Sequence, residues 1–268
     1  MLWDFSYPPG TVTRALSKAR LAVAPPAPGP VTLFVPGGFH GAWCFAPYLR
    51  LFTAAGAAAA AVDLRGHGGL AQDPVFIHQG VRDMAADVVE AAMALGGDVV
   101  LAGHSLGALV AMAASCTVKP RALVMLAPAP PGNVPKMHNL PPFPADTAVA
   151  PPPEARARRW LLQGLARDAD VAPYLARFCP ESPALLNDRY GGRVMVDPAW
   201  VNGPRLCMSG DLDVSPMAAA GESDAAAALY RADTLKLHGG HCFMLAPTAQ
   251  DDSARQLLAW LAHHRLTN

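Results

Sequence analysis

The stretch Val99-Val100-Leu101-Ala102-Gly103-His104-Ser105-Leu106-Gly107 changes character within a single turn. Val99 to Ala102 is a short apolar run that starts on two β-branched residues, the pattern of a buried strand. From Leu106 to about Cys116 the chain is apolar and free of proline, the pattern of a buried helix. Only Gly103-His104-Ser105 joins the two. A serine on so tight a strand-to-helix turn must take a strained backbone conformation to present its hydroxyl, and the flanking glycines give strand and helix room to approach. G-x-S-x-G alone arises easily by chance. Set between a strand and a helix, it points to an exposed nucleophile.

Similar apolar runs lie on both sides. Val31 to Val35 stops at Pro36-Gly37-Gly38, Ala57 to Val62 stops at Asp63, and Ala122 to Leu126 ends at Pro128. Leu206-Cys207-Met208 ends at Gly210, and Thr234 to Leu237 ends before Gly239-Gly240. Apart from Thr234-Leu235-Lys236-Leu237, none alternates with polar residues, as expected of strands covered on both faces. Between them, Val81, Met84, Ala85, Val88, Ala92 and Leu95 form a helical stripe, with Asp83, Asp87 and Glu90 on another face. Ala254, Leu257, Leu258 and Leu261 repeat the stripe near the carboxyl end. Asp251 and Asp252 start that helix and His263-His264-Arg265 finish it, in keeping with the helix dipole. The alternation predicts an α/β fold, a mostly parallel central sheet flanked by helices.

One segment breaks the rhythm. From Pro128 to about Val201 there is no strand run, but a proline-rich stretch and then a helix-forming one, Glu154 to about Phe178. A structureless loop of that length is not expected inside a compact domain, whereas an inserted helical unit is. The expected organisation is a core of residues 1–128 and 201–268 with a helical cap insertion at 129–200.

Composition excludes several classes of function. The chain has 268 residues, 21 basic and 21 acidic side chains, 52% hydrophobic and 16% charged residues. A balanced charge lacks the footprint of a nucleic-acid or anionic-membrane binder, and such a hydrophobic chain is not disordered. Five cysteines with no Cys-x-x-Cys pair read as reduced core thiols. Residues Met1 to Ser6 carry neither a basic n-region nor a sustained apolar run, so no secretion signal is expected. The longest apolar stretch, Val99 to Cys116, is interrupted by Gly103-His104-Ser105 and Gly107, which argues against a membrane helix. A soluble, cytoplasmic protein acting on a small molecule is expected; its oligomeric state is not readable.

With its elbow Gly103-His104-Ser105-Leu106-Gly107, the chain resembles the α/β-hydrolase superfamily over nearly its whole length. Three further segments fit that resemblance, in the family's chain order of nucleophile, acid and histidine. Pro36-Gly37-Gly38-Phe39-His40-Gly41-Ala42-Trp43 is similar to the family's oxyanion loop, with Pro36 where histidine is frequent. The resemblance implies an oxyanion hole built from the backbone N–H groups of Phe39 and Leu106. Ser209-Gly210-Asp211-Leu212-Asp213-Val214-Ser215-Pro216 resembles the acid turn and implies Asp213 as the acid, with Asp211 as competitor and a helix-capping role open to either. His238-Gly239-Gly240-His241 resembles the base loop and implies His241. A His238-x-x-His241 metal pair is the sharper alternative, but the His-Glu-x-x-His helix of a zinc hydrolase is missing. Asp63-Leu64-Arg65-Gly66-His67-Gly68 resembles a structural segment of the family, so His67 is assigned no catalytic role. Gly38, Trp43, His104 and Met244 are candidate pocket-lining residues, with a core role open for Trp43 and Met244.

The implied activity is that of a cofactor-free and metal-free Ser-His-Asp hydrolase of carboxylesterase or lactonase type. It would cleave an ester or lactone of a small, largely apolar substrate through an acyl-enzyme. Branches of the family that open epoxides or displace halide carry aspartate at the elbow. Hydroxynitrile lyases with a similar oxyanion loop carry a lysine beside the histidine, where this chain has Cys242. The same triad acting on a carbon–carbon, thioester or amide bond stays open, as does a small-molecule receptor on this fold. A lipid-interface lipase is less well matched, because it would want an exposed apolar lid and secretion.

Overall fold

In the computed structural model, which describes residues 3–135 and 141–267, eight strands form one sheet. They are β1 (Val12–Ala15), β2 (Arg20–Val23), β3 (Val31–Val35), β4 (Ala59–Asp63), β5 (Val99–His104), β6 (Ala122–Leu126), β7 (Arg205–Gly210) and β8 (Asp233–Leu237). Their order across the sheet is β1-β2-β4-β3-β5-β6-β7-β8. β1, β2 and β4 pair antiparallel in succession, and every pair from β4 to β8 is parallel. The fold class is the expected one, and all six anticipated runs are strands. β1 and β2 add an antiparallel edge that the apolar pattern did not announce.

Helices α1 (Ala46–Ala54), α2 (Val81–Ala94) and α3 (Leu106–Val118) follow successive parallel strands, while α4 (Glu154–Trp160), α5 (Ala172–Leu175) and α6 (Pro183–Gly191) lie between β6 and β7. α7 (Pro216–Ala219) and α8 (Glu222–Tyr230) precede β8, and α9 (Gln250–His263) closes the chain. The alternating side chains of β5 explain the two layers. Val100 and Ala102 join a cluster with Phe34, Phe45, Tyr48 and Phe52 under α1 and α9. Val99 and Leu101 join a second with Met84, Val88, Leu109 and Met112 under α2 and α3. Successive strand residues point to opposite faces, so a strand that feeds both clusters has no polar side.

Two expectations are corrected. The helix anticipated from Glu154 to about Phe178 is broken. α4 stops at Trp160, the chain turns through Gly164 at φ +88°, and only Ala172–Leu175 resumes a helix around Pro173. Glycine supplies the left-handed turn and proline starts rather than continues a helix. Asp87, read as lying off the apolar stripe of α2, is buried with it. It accepts from the Arg65 backbone N–H at 2.9 Å and holds its guanidinium at 2.6 Å. A carboxylate paired with Arg65 satisfies the cost of burial that a lone one would not.

Residues 136–140 of the expected cap lie outside the described residues, as do Met1 and Leu2. Cys44, Cys207 and Cys242 are buried free thiols as anticipated, but Cys116 is exposed and Cys179 only half-buried. Among the described residues no helix is long and apolar enough to cross a membrane.

Candidate active site

The parallel strands deliver their carboxyl ends to one edge of the sheet, and the candidate residues gather there. Ser105 sits between β5 and α3 at φ +51°, ψ −121°, a region sparsely used by residues with a side chain. Its N–H donates to Leu126 O at 2.9 Å, and its carbonyl accepts from Ala108 and Ala129 at 2.9 and 3.0 Å. These bonds hold the strained turn. A Cβ on Gly103 would lie 2.4 Å from Gly107 O, and one on Gly107 2.2 Å from Pro36 O. Both contacts are with backbone and cannot rotate away. Gly103→Ala is therefore expected to cost more than ~2 kcal/mol, read as a clear fall in Tm, whereas an unchanged Tm would contradict this packing.

Leu106 opens α3, so its N–H is one of the unpaired donors at the positive end of the helix. The Ser105 hydroxyl makes no hydrogen bond within the described residues.

The loops that carry Asp213 and His241 lock together. A Cβ on Gly210 would stand 2.1 Å from Gly239 O, and the Leu212 N–H donates to that same oxygen at 3.0 Å. Asp211 stays at the surface and holds the turn, taking the Gly239 N–H and the His238 Nδ1 at 3.0 Å each. Asp213 turns inward. Its Oδ2 lies 2.7 Å from His241 Nδ1, its Oδ1 accepts the Ser215 N–H at 2.8 Å, and the side chains of Asp213 and His241 are 2% and 3% exposed. Burial works to raise the Asp213 pKa, but the charge and hydrogen bond of His241 and the bonds from Ser215 outweigh it and hold the carboxyl below its usual value.

A carboxyl so shifted stabilises the fold in full above its unfolded pKa and loses that contribution as pH falls through its folded one. The stability of the wild type relative to Asp213→Asn should thus shrink as pH drops below about 4, checked by Tm against pH. A difference independent of pH would contradict the pairing.

His241 is held from both sides. Its N–H donates to Gln163 Oε1 at 2.9 Å, and its carbonyl accepts from His104 Nε2 at 3.1 Å. Burial keeps the His104 pKa well below the ordinary value, so the ring is neutral with its proton on Nε2. His104 therefore steadies the base loop, its ring 4.9 Å from that of His241. His238 and His241 point to different carboxylates, and among the described residues no cluster of ligands could hold a metal.

The oxyanion loop departs from expectation. Phe39 has φ +67°, and its N–H donates to Glu181 Oε2 at 3.0 Å instead of standing free for a reacting group. The preceding residue has the free donor. His40 N–H donates to Gly37 O at 3.2 Å, and a trans peptide points its N–H opposite its carbonyl, so the Gly38 N–H faces away from His40. No acceptor takes the Gly38 N–H within the described residues. A Cβ on Gly37 would lie 3.1 Å from Ser105 Cβ, so this loop rests directly on the elbow. Burial pushes the His40 pKa down to about 4. The neutral ring donates from Nδ1 to Gly38 O at 2.7 Å and accepts from the Tyr174 hydroxyl at 2.8 Å.

Trp43 stacks on His40 and Met244 is fully buried, so both are core residues beneath the loops. Glu181 was not foreseen. Its sequence signal is faint: it is the sole acidic residue between Asp170 and Asp188, set between Pro180 and Ser182-Pro183.

Known proteins share this architecture. A methylesterase from Arabidopsis superposes with a TM-score of 0.70 at 22% identity, covering 87% of this chain and 99% of its own. Tomato methylketone synthase I, complexed with 2-tridecanone, gives 0.69 at 18% identity, over 88% of this chain and 99% of its own. A mutant N-acyl homoserine lactonase complexed with N-hexanoyl homoserine gives 0.67 at 17%, over 97% and 98%. Comparison with curated protein sequences gives no match. The model of the alpha/beta hydrolase family matches residues 32–250. That span runs from β3 to the start of α9 and takes in the Ser105 elbow, the Asp213 turn and the His241 loop; the chain belongs to the alpha/beta hydrolase family.

Proposed function

We propose that this protein is a serine hydrolase that cleaves a carboxylic ester or lactone of a small, largely apolar substrate. The observation that carries the reading is the buried Asp213–His241 pair, 2.7 Å apart, whose histidine carbonyl is held by His104, the residue before a serine at φ +51°. Ser105 attacks the acyl carbon while His241 Nε2 takes its proton. Asp213 holds the imidazole in the tautomer with its proton on Nδ1 and stabilises the imidazolium that forms. The negative charge developing on the acyl oxygen is met by the N–H groups of Leu106 and Gly38, each such donor being worth ~3 kcal/mol in the transition state. His241 returns the proton to the leaving alcohol. Water, activated by the same histidine, then releases the acid from Ser105. Every step uses groups of this chain, so no cofactor or metal is called for.

The segment 129–200 acts in this reading as a cap over the triad, with the remaining residues as core. Its support is contact: Leu161 O accepts the Cys242 N–H at 3.0 Å, Gln163 holds His241, and Glu181 holds Phe39. The ester and lactone chemistry draws on the names of the methylesterase and lactonase neighbours. The partner is a small molecule, and neither nucleic acid nor membrane has a place in the mechanism.

The test is acid release from a panel of short esters, lactones and thioesters, followed by pH-stat. Turnover on at least one ester or lactone is expected. Tight binding of panel members with no acid released from any would replace the hydrolase by a receptor.

A further inference from the structure

We infer that Glu181, carried by the inserted segment, is a positioning residue for the oxyanion hole: it fixes the Gly38–Phe39 peptide, and through Gly38 the adjoining Gly37–Gly38 peptide, so that the Gly38 N–H stays presented to the Ser105 side. The inference rests on the hydrolase reading above and deepens it. The peptide joining Gly38 to Phe39 is pinned at both polar ends. His40 Nδ1–H holds its oxygen at 2.7 Å, and Glu181 Oε2 takes its N–H at 3.0 Å. The next carbonyl, that of Phe39, accepts the Cys179 N–H at 3.1 Å. Residues 179–181 thereby grip both backbone polar groups of Phe39, a residue whose φ of +67° persists only where its surroundings impose it.

The choice of side chain is informative. Glu181 is completely buried, and its oxygens take three partners: Oε1 the Ser182 N–H at 2.8 Å, Oε2 the Phe39 N–H and His67 Nε2 at 3.0 Å each. A buried carboxylate is costly, and a simple tether between cap and core could use a neutral acceptor. Charge-assisted bonds are shorter and about twice as strong, which suits a peptide that must not flip during reaction. Beside Glu181 water has little room to compete for the Phe39 N–H, because the space between Gly38, Leu106, His67 and Glu181 is only about 10 Å³, at the lower limit for one water.

A negative charge beside an oxyanion would also be harmful unless compensated. His67 is the group placed to compensate it, its Nε2 3.0 Å from Glu181 Oε2. Burial alone would lower its pKa, but the Glu181 charge and hydrogen bond, with the Arg65 carbonyl and Asp63, outweigh it and raise it. Of the other ionisable groups here, His40 is neutral, Asp63 is taken by Arg20, and burial raises the Cys179 thiol. His67 and Glu181 thus form a pair, Nε2 to Oε2 at 3.0 Å, that grips the loop.

The experiment compares wild type, Glu181→Gln and Glu181→Ala, each normalised to Ser105 titrated with a fluorophosphonate over long exposure. Glu181→Ala should lower kcat about 100-fold with KM changed less than about threefold, the pattern of an interaction lost only in the transition state. A trifluoromethyl ketone analogue of the substrate should lose affinity by the same factor, while the product acid binds as before. Glu181→Gln keeps an acceptor for Phe39 and should lose about tenfold, a partial rescue; if the alanine variant does not fold, this one decides. A kcat per titrated serine within twofold of wild type in a folded variant, or a loss carried by KM, overturns the inference while leaving the hydrolase reading intact. A wild type that takes no label at Ser105 overturns that reading, and the inference with it.

Discussion

Ser105→Ala is expected to lower ester turnover by about six orders of magnitude while leaving the fold intact, because triad members act as a unit and the nucleophile has no substitute. The bonds that hold residue 105 in its strained conformation are made by its backbone N–H and carbonyl, to Leu126, Ala108 and Ala129, and alanine keeps all three. The hydroxyl itself has no partner within the described residues, so its removal leaves no buried group unsatisfied. Tm should accordingly stay within a few degrees of wild type. Turnover near the wild-type rate in the alanine variant, with Tm unchanged, would remove Ser105 from the reaction.

Asp213→Asn should cost about four orders of magnitude in turnover, whereas Asp211→Asn should keep most of it. The two aspartates follow the same strand two residues apart, and the difference lies in what each carboxylate faces. Asp213 is buried and holds His241 Nδ1; an asparagine there favours the wrong tautomer, and ~10⁴ is the loss known for that change in a serine protease. Asp211 lies at the surface, its carboxylate spent on the Gly239 N–H and on His238, which is 81% exposed. Its loss should loosen the turn slightly and appear as a small fall in Tm. Comparing kcat of the two folded variants separates them, and a dead Asp211→Asn beside an active Asp213→Asn would move the acid two residues back.

Most of the parallel sheet was legible because β3, β4, β5 and β6 are covered on both faces and read as apolar runs, and Val31–Val35 and Ala122–Leu126 agree to the residue; β8, at the sheet edge, is largely exposed. β1 was not legible for the opposite reason. Val12–Ala15 is exposed throughout and owes its order to pairing with β2. The elbow was readable because Gly103 and Gly107 answer a local steric demand. The free N–H of the Gly37-Gly38-Phe39 loop was not. Whether Phe39 or Gly38 is free depends on Glu181, 142 residues further along the chain, and nothing local encodes that bond. Asp87 escaped in the same way: the helical pattern placed it off the apolar stripe, and Arg65, brought in by a separate turn, makes its burial tolerable. Local rules fixed the elements, and polar contacts between distant segments set the site's details.

The central claim is that Ser105 is the covalent nucleophile. Its most direct test is to expose the wild-type protein to a fluorophosphonate probe, digest it, and locate the adduct by mass spectrometry. One adduct per chain, on the peptide containing Ser105, is the predicted result. An unlabelled protein, or an adduct placed elsewhere, for instance on the exposed thiol of Cys116, would contradict the account.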